Sequence, residues 1–72
     1  MPTMKDQLEQ LVAELLVKGV RYEDAQREFE KRFITQALQK MDGNLGKTAD
    51  LLGIHRNTLS RKMAEYRLRR SA

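Results

Sequence analysis

The chain has 72 residues, with 14 Lys+Arg against 10 Asp+Glu for a net charge of +4, no cysteine and a single histidine. That length allows one small domain, which buries only a modest share of its surface and so needs a staple or a partner. Disulfides and thiolate metal sites are excluded by the missing cysteines, and a conventional zinc site by the lone His55, which leaves self-association as the expected source of stability.

In chain order, the first helix is expected over Met4–Lys18. Thr3 can cap it with Asp6 three residues on, and Gly19 suits the residue that follows a helix. Leu8, Leu11, Val12, Leu15 and Leu16 keep the three-and-four spacing of an amphipathic stripe. The start turns charged and amphipathic at once, unlike a signal peptide, and no apolar run approaches the roughly 20 residues of a membrane span. A soluble, intracellular protein is expected.

A second helix is expected over Tyr22–Met41. It lacks a good capping residue, although Glu23 and Asp24 suit the positive end of its dipole. At 100° per residue, Tyr22, Ala25, Phe29 and Phe33 share one direction, and Ile34, Ala37, Leu38 and Met41 rotate away from it. The resulting arc of about 220° is wider than one neighbouring helix covers. The N-terminal half should therefore pack on one partner and the C-terminal half on another. Tyr22 and Tyr66 should be half-buried rings.

Two shorter helices follow: Leu45–Leu52, capped by Asn44 and ended by Gly53, and Arg56–Tyr66, with Leu59, Met63 and Tyr66 on one face. Residues 67–72 carry no apolar periodicity and should fray as a basic tail. Strand signals are missing, so the fold class is all-α, a four-helix protomer.

The charge is unevenly placed. Residues 1–40 carry seven basic and seven acidic side chains, whereas residues 41–72 carry seven basic and three acidic, so the whole excess lies in the C-terminal part. A positive end on a neutral body is the footprint of a polyanion binder, or equally of a solubilising surface. The helix pair over 44–66 sharpens that choice. Ala49 is small where two helices must cross, Gly53 allows the left-handed turn between them, and Ile54 fills the angle. Burying Leu52, Leu59 and Met63 leaves Arg56, Asn57, Ser60 and Arg61 facing out, with Lys62 near the edge. Long cations beside short hydrogen-bonding groups suit a helix lying in the DNA major groove.

Gly43-Asn44, Lys47, Ala49 and the run Leu51-Leu52-Gly53-Ile54-His55-Arg56-Asn57-Thr58-Leu59-Ser60-Arg61-Lys62-Met63 resemble the Fis-type helix-turn-helix. That module forms the nucleoid protein Fis and the C-terminal DNA-binding domain of NtrC-type enhancer-binding regulators. Glu28-Phe29-Glu30-Lys31-Arg32-Phe33 with Ala37-Leu38 resembles the helix before the motif in those regulators, so the likeness covers about residues 23–66. It implies a bacterial, cytoplasmic or nucleoid homodimer whose first two helices intertwine in a bundle. Two recognition helices would face adjacent major grooves and bend the DNA. Leu8, Leu11, Leu15, Phe29 and Phe33 would build the dimer interface.

Roles carry over from the resemblance by position. Asn44 and Lys47 match phosphate-touching positions. His55 starts the recognition helix, where it can cap, meet a phosphate or reach a base. Arg56 matches a guanine-reading position, and Thr58 meets a phosphate or a thymine methyl. Arg61 and Lys62 meet phosphates, with Arg61 also able to reach a base. Asn57 and Ser60 look like the NtrC-type version. Gly46 stands where Fis has a polar residue and Ser60 where it has a long basic one, which counts against a purely architectural role.

The expected function is sequence-specific binding of double-stranded DNA by a transcriptional regulator, either complete or the terminal domain of a larger one. RNA polymerase or that larger regulator would be a further partner. No cofactor or metal is expected. The alternative is a helical dimeric protein-interaction module with a basic docking surface. Catalysis is not expected, since the sequence offers no nucleophile–base pair, metal set or Gly-rich phosphate loop.

Overall fold

The structure, a computed structural model, describes residues 1–69. It consists of α1 (Met4–Val17), α2 (Tyr22–Lys40), α3 (Leu45–Leu52) and α4 (Arg56–Tyr66), and the described residues include no strand. The first two helices each stop one residue short of the expected end, and the last two have the expected bounds.

Local signals account for most of the boundaries. Thr3 and Asp6 form a reciprocal capping box: the Thr3 hydroxyl accepts from the Asp6 N–H at 3.1 Å, and the Asp6 carboxylate accepts from the Thr3 N–H at 3.2 Å. Arg21 precedes α2 without a side-chain cap. At the far end of α2 the chain leaves through two successive left-handed residues, Asp42 at φ 53° and Gly43 at φ 77°. The Gly43 N–H returns to the Leu38 carbonyl at 2.9 Å. A short-chain Asp tolerates that backbone region better than most residues, which lets the turn use a non-glycine there.

The core is small and lies between the C-terminal half of α2 and the α3–α4 pair. Ile34, Leu38, Ala49, Leu59 and Met63 form it, and Leu45, Leu52, Ile54, Tyr66 and Leu68 pack around them. Leu59 is 0% exposed, and burial of such a side chain contributes about 1.5–3 kcal/mol. Ala49 is buried where α3 meets its neighbours, as its size suggested. Thr48 is also fully buried, and its hydroxyl donates to the Asn44 carbonyl at 2.7 Å, so no polar atom is orphaned there.

By contrast, α1 contributes no buried residue. Leu8, Leu11, Val12 and Leu16 are exposed and Leu15 is half-buried. On α2, Phe29 and Phe33 are 54% and 55% exposed, their rings in tilted contact at 44° with centroids 5.6 Å apart. Tyr22 is exposed rather than half-buried, because nothing in one chain lies over the start of α2. The radius of gyration, 14.0 Å, exceeds the roughly 11 Å of a compact chain this long.

After α4 the chain turns back instead of fraying at once. Arg67 is left-handed at φ 55°, the Leu68 N–H returns to the Met63 carbonyl at 2.8 Å, and Leu68 packs on the core. Residues 70–72, the rest of the expected tail, lie outside the described residues.

Gly53 ends α3 at φ 72°, with open space where a Cβ would point. Gly53→Ala should therefore cost only the left-handed penalty, about 1–2 kcal/mol, with no steric clash. Urea unfolding at fixed protein concentration checks this, and Gly53→Asn should recover part of the loss.

Candidate nucleic-acid interface

The α3–α4 unit is a helix-turn-helix with the three connecting residues Gly53, Ile54 and His55. Left-handed Gly53 reverses the chain, the Ile54 N–H closes onto the Ala49 carbonyl at 3.1 Å, and the Ile54 side chain packs into the core edge. These three features set the direction in which α4 leaves. Leu59 and Met63 then bury one face of α4, so the opposite face is turned to solvent by necessity.

That outward face is polar and positive. Arg56, Asn57, Ser60 and Arg61 are all exposed, and none of them forms a side-chain ion pair or hydrogen bond to another described side chain. Thr58 sits on the flank of α4 and is half-buried. Lys47 is exposed on α3. The described residues thus bring Lys47, Arg56 and Arg61 to the same two-helix unit without an acidic partner.

Asn44 and His55 occupy equivalent places, each capping a helix of the unit. Asn44 Oδ1 accepts from the Lys47 N–H at 2.9 Å, which leaves the amide Nδ2 free to donate. His55 Nδ1 accepts from the Asn57 N–H at 3.1 Å. In the neutral ring that bond places the hydrogen on Nε2, a donor pointing away from the cap. The capping role and a phosphate or base contact are therefore compatible: each side chain uses one atom for the helix and keeps another. Both stand at helix N-termini, where uncapped N–H groups and the dipole favour an anion.

Lys62 is placed differently. It lies on the flank of α4 facing α2, half-buried, and its ammonium donates to the Glu30 carboxylate across the two helices. The hydrogen bond from Lys62 holds the Glu30 carboxyl below the ordinary carboxylate range, and the Tyr66 hydroxyl helps. The same bond raises the Lys62 ammonium above the ordinary lysine range. The Tyr66 phenol is raised, first by partial burial and then by the neighbouring Glu30 charge. In sequence, Glu30 reads as a solubilising residue. Nothing in a 32-residue separation announces that it meets Lys62.

The described residues include no group of three or more His, Cys, Asp or Glu able to hold a metal ion, and no helix long and apolar enough to cross a membrane. An apolar groove of about 390 Å³ is lined by Phe29, Phe33, Ile34, Leu52 and Ile54, and its polar lining includes the Glu30–Lys62 pair.

Comparison with known proteins agrees with this geometry. A family model described as bacterial regulatory protein, Fis family, matches residues 25–66, which run from early α2 to the last residue of α4. A curated protein of Xylella fastidiosa named as Fis-like DNA-binding is 45% identical over 42 residues, covering 58% of this chain and 47% of that protein. The chain thus spans about half the length of the curated relative it matches. No solved structure matches it.

The cross-helix pair carries a pH signature. Because the folded carboxyl is depressed, its contribution to stability is present above the ordinary carboxylate range and disappears as pH falls through the folded value. Because the ammonium is raised, its contribution is present below the ordinary lysine range and disappears only as pH rises through the folded value. Thermal melts from about pH 6 to pH 3 should show Tm falling more steeply in the wild-type chain than in Glu30→Gln. Parallel curves would mean that the pair contributes nothing.

Proposed function

The chain belongs to the Fis family of bacterial regulatory proteins, and we propose that it binds double-stranded DNA sequence-specifically as a homodimeric transcriptional regulator. The observation that carries this reading is the two-sided character of α4. Its inner face is fixed by Leu59 and Met63, and its outer face offers Arg56, Asn57, Ser60 and Arg61 to solvent. A helix presented in this way from a left-handed turn suits the major groove, where Arg reads guanine O6 and N7 and Asn reads adenine. Lys47, the Asn44 amide, His55 Nε2 and Thr58 would hold phosphates around it, with Arg61 serving a phosphate or a base edge. A protein-interaction module would have no need of this paired arrangement of caps and cations.

The homodimer is supported by area. The chain exposes 6241 Å², against roughly 4,600 Å² for a compact monomer of its mass. An excess of about 1,600 Å² per copy is the amount a stable homodimer covers. The exposed apolar side chains include Leu8, Leu11 and Val12 on α1, with half-buried Leu15 beside them, and Phe29 and Phe33 on α2. A second copy packing these faces together would bring two α4 helices onto one duplex, which is then free to bend between them. The site of action would be the bacterial nucleoid, and RNA polymerase or a larger regulator a further partner.

Binding should appear on random duplexes at about 50 mM salt and weaken steeply toward about 200 mM. No binding at the lower salt would overturn the proposal and favour an acidic protein partner. Arg56→Ala should lose about 1–3 kcal/mol of discrimination among sites. Lys47→Ala should weaken all duplexes alike and reduce the salt slope by about 0.9. Equal losses on specific and random duplexes in both variants would refute these assignments.

Phe29→Asp tests the interface, because it puts a charge in the middle of the apolar face. Sedimentation should show loss of association, with loss of fold if the monomer cannot stand alone. An unchanged stable dimer would place the interface elsewhere.

A further inference from the structure

The basic run on α4 includes one cation that is not presented to solvent like the others. At 100° per residue, Asn57 and Arg61 lie about 160° from the buried Leu59, whereas Arg56 and Lys62 each lie about 60° from it on opposite sides, exposed Arg56 away from Tyr66 and half-buried Lys62 on the side of Tyr66. Its side chain is 31% exposed and that of its partner Glu30 is 26% exposed. Among the described residues this is the one ion pair that joins two helices, the other being Glu28–Arg32 within α2. Glu30 sits between Phe29 and Phe33 in sequence, and all three line the groove that Lys62 closes. The pair therefore connects the helix that carries the exposed phenylalanines with the helix that carries the outward cations.

We propose that Glu30 and Lys62 are positioning residues that fix the roll of α4 against α2 and thereby set base discrimination, and that Lys62 is not a phosphate contact. The inference rests on the DNA-binding reading. Two parts of the geometry lead to it. Core packing through Leu59 and Met63 is non-directional, so apolar contact alone allows α4 to rock about its own axis. A charge-assisted hydrogen bond is directional, and one placed on the flank resists that motion. Base-edge hydrogen bonds need a defined helix orientation, whereas attraction to the phosphate backbone does not. Loosening the pair should then damage discrimination and leave sequence-independent binding intact.

The substitution Glu30→Gln separates this from simple electrostatics by sign. It makes the protein more positive, so charge alone predicts tighter binding to every duplex. Positioning predicts weaker binding to the preferred one. The probes are a duplex selected by the wild-type protein from a random pool and a scrambled duplex of equal length, titrated over several salt concentrations. In Glu30→Gln the ratio of the two affinities should fall on the order of tenfold, the scale of one charge-assisted hydrogen bond, with the scrambled duplex bound at least as well as before. Lys62→Met should lower the ratio similarly with an unchanged salt slope, and the double variant should fall no further than either single one.

The proposal is overturned if Glu30→Gln tightens both duplexes and steepens the salt slope by about 0.9, because Lys62 would then have been released onto a phosphate. It is equally overturned if Lys62→Met alone reduces the slope by that amount. Amide spectra of the free protein supply a readout that needs no DNA: the α4 resonances should shift in Glu30→Gln, and unmoved α4 resonances reject the positioning role. If the wild-type chain selects no duplex from the pool while Glu30→Gln still shifts the α4 resonances, the pair keeps its role in the fold and the DNA-binding reading is refuted instead.

Discussion

One copy of this chain exposes more apolar side chain than its core can cover, and the rest of the structure is arranged around that imbalance. The core uses Ile34, Ala37 and Leu38 from only the later part of α2. The earlier part of α2 keeps Phe29 and Phe33 outside, and α1 keeps its leucines there. A chain of 72 residues without cysteine, whose described residues include no group of three or more His, Asp or Glu able to hold a metal ion, has few other sources of stability. Burying those faces against a second copy, as we propose, would make folding and association a single event, so that stability depends on concentration.

The same constraint shapes the proposed DNA surface. Since α2 serves the core with one half and is free to serve the interface with the other, it is the element through which α4 can be held relative to a partner. Leu59 and Met63 turn one side of α4 inward, the Glu30–Lys62 pair is proposed to set its roll, and Gly53 with Ile54 fixes its direction of exit. Asn44 and His55 use one side-chain atom each to finish a helix and keep a donor in reserve. Capping and the proposed phosphate binding would then fall to the same residues.

Much of this was legible from residue order. The capping box of Thr3 and Asp6, the Asn44 and His55 helix starts, and the left-handed Gly53 are local signals, complete within a few residues. The split of α2 followed from the width of its apolar arc. What could not be read were contacts made at long sequence distance. Glu30 sits among other charges and gives no sign of meeting Lys62, so this tie between α2 and α4 goes unread. Tyr22 reads as a half-buried ring because periodicity does not say whether a partner lies within the same chain. Leu68 was hidden in a basic run, although a lone leucine just past a helix end is the residue that folds back in such a turn.

The most direct measurement is a hydroxyl-radical footprint on a duplex selected by the protein. Two α4 helices held by one dimer should protect two segments on the same side of the duplex, separated by about one helical turn, roughly 34 Å. Insertion of half a turn between them should abolish the joint footprint. A single protected segment, unaffected by that insertion, would contradict the account of a dimer that reads DNA through paired helices.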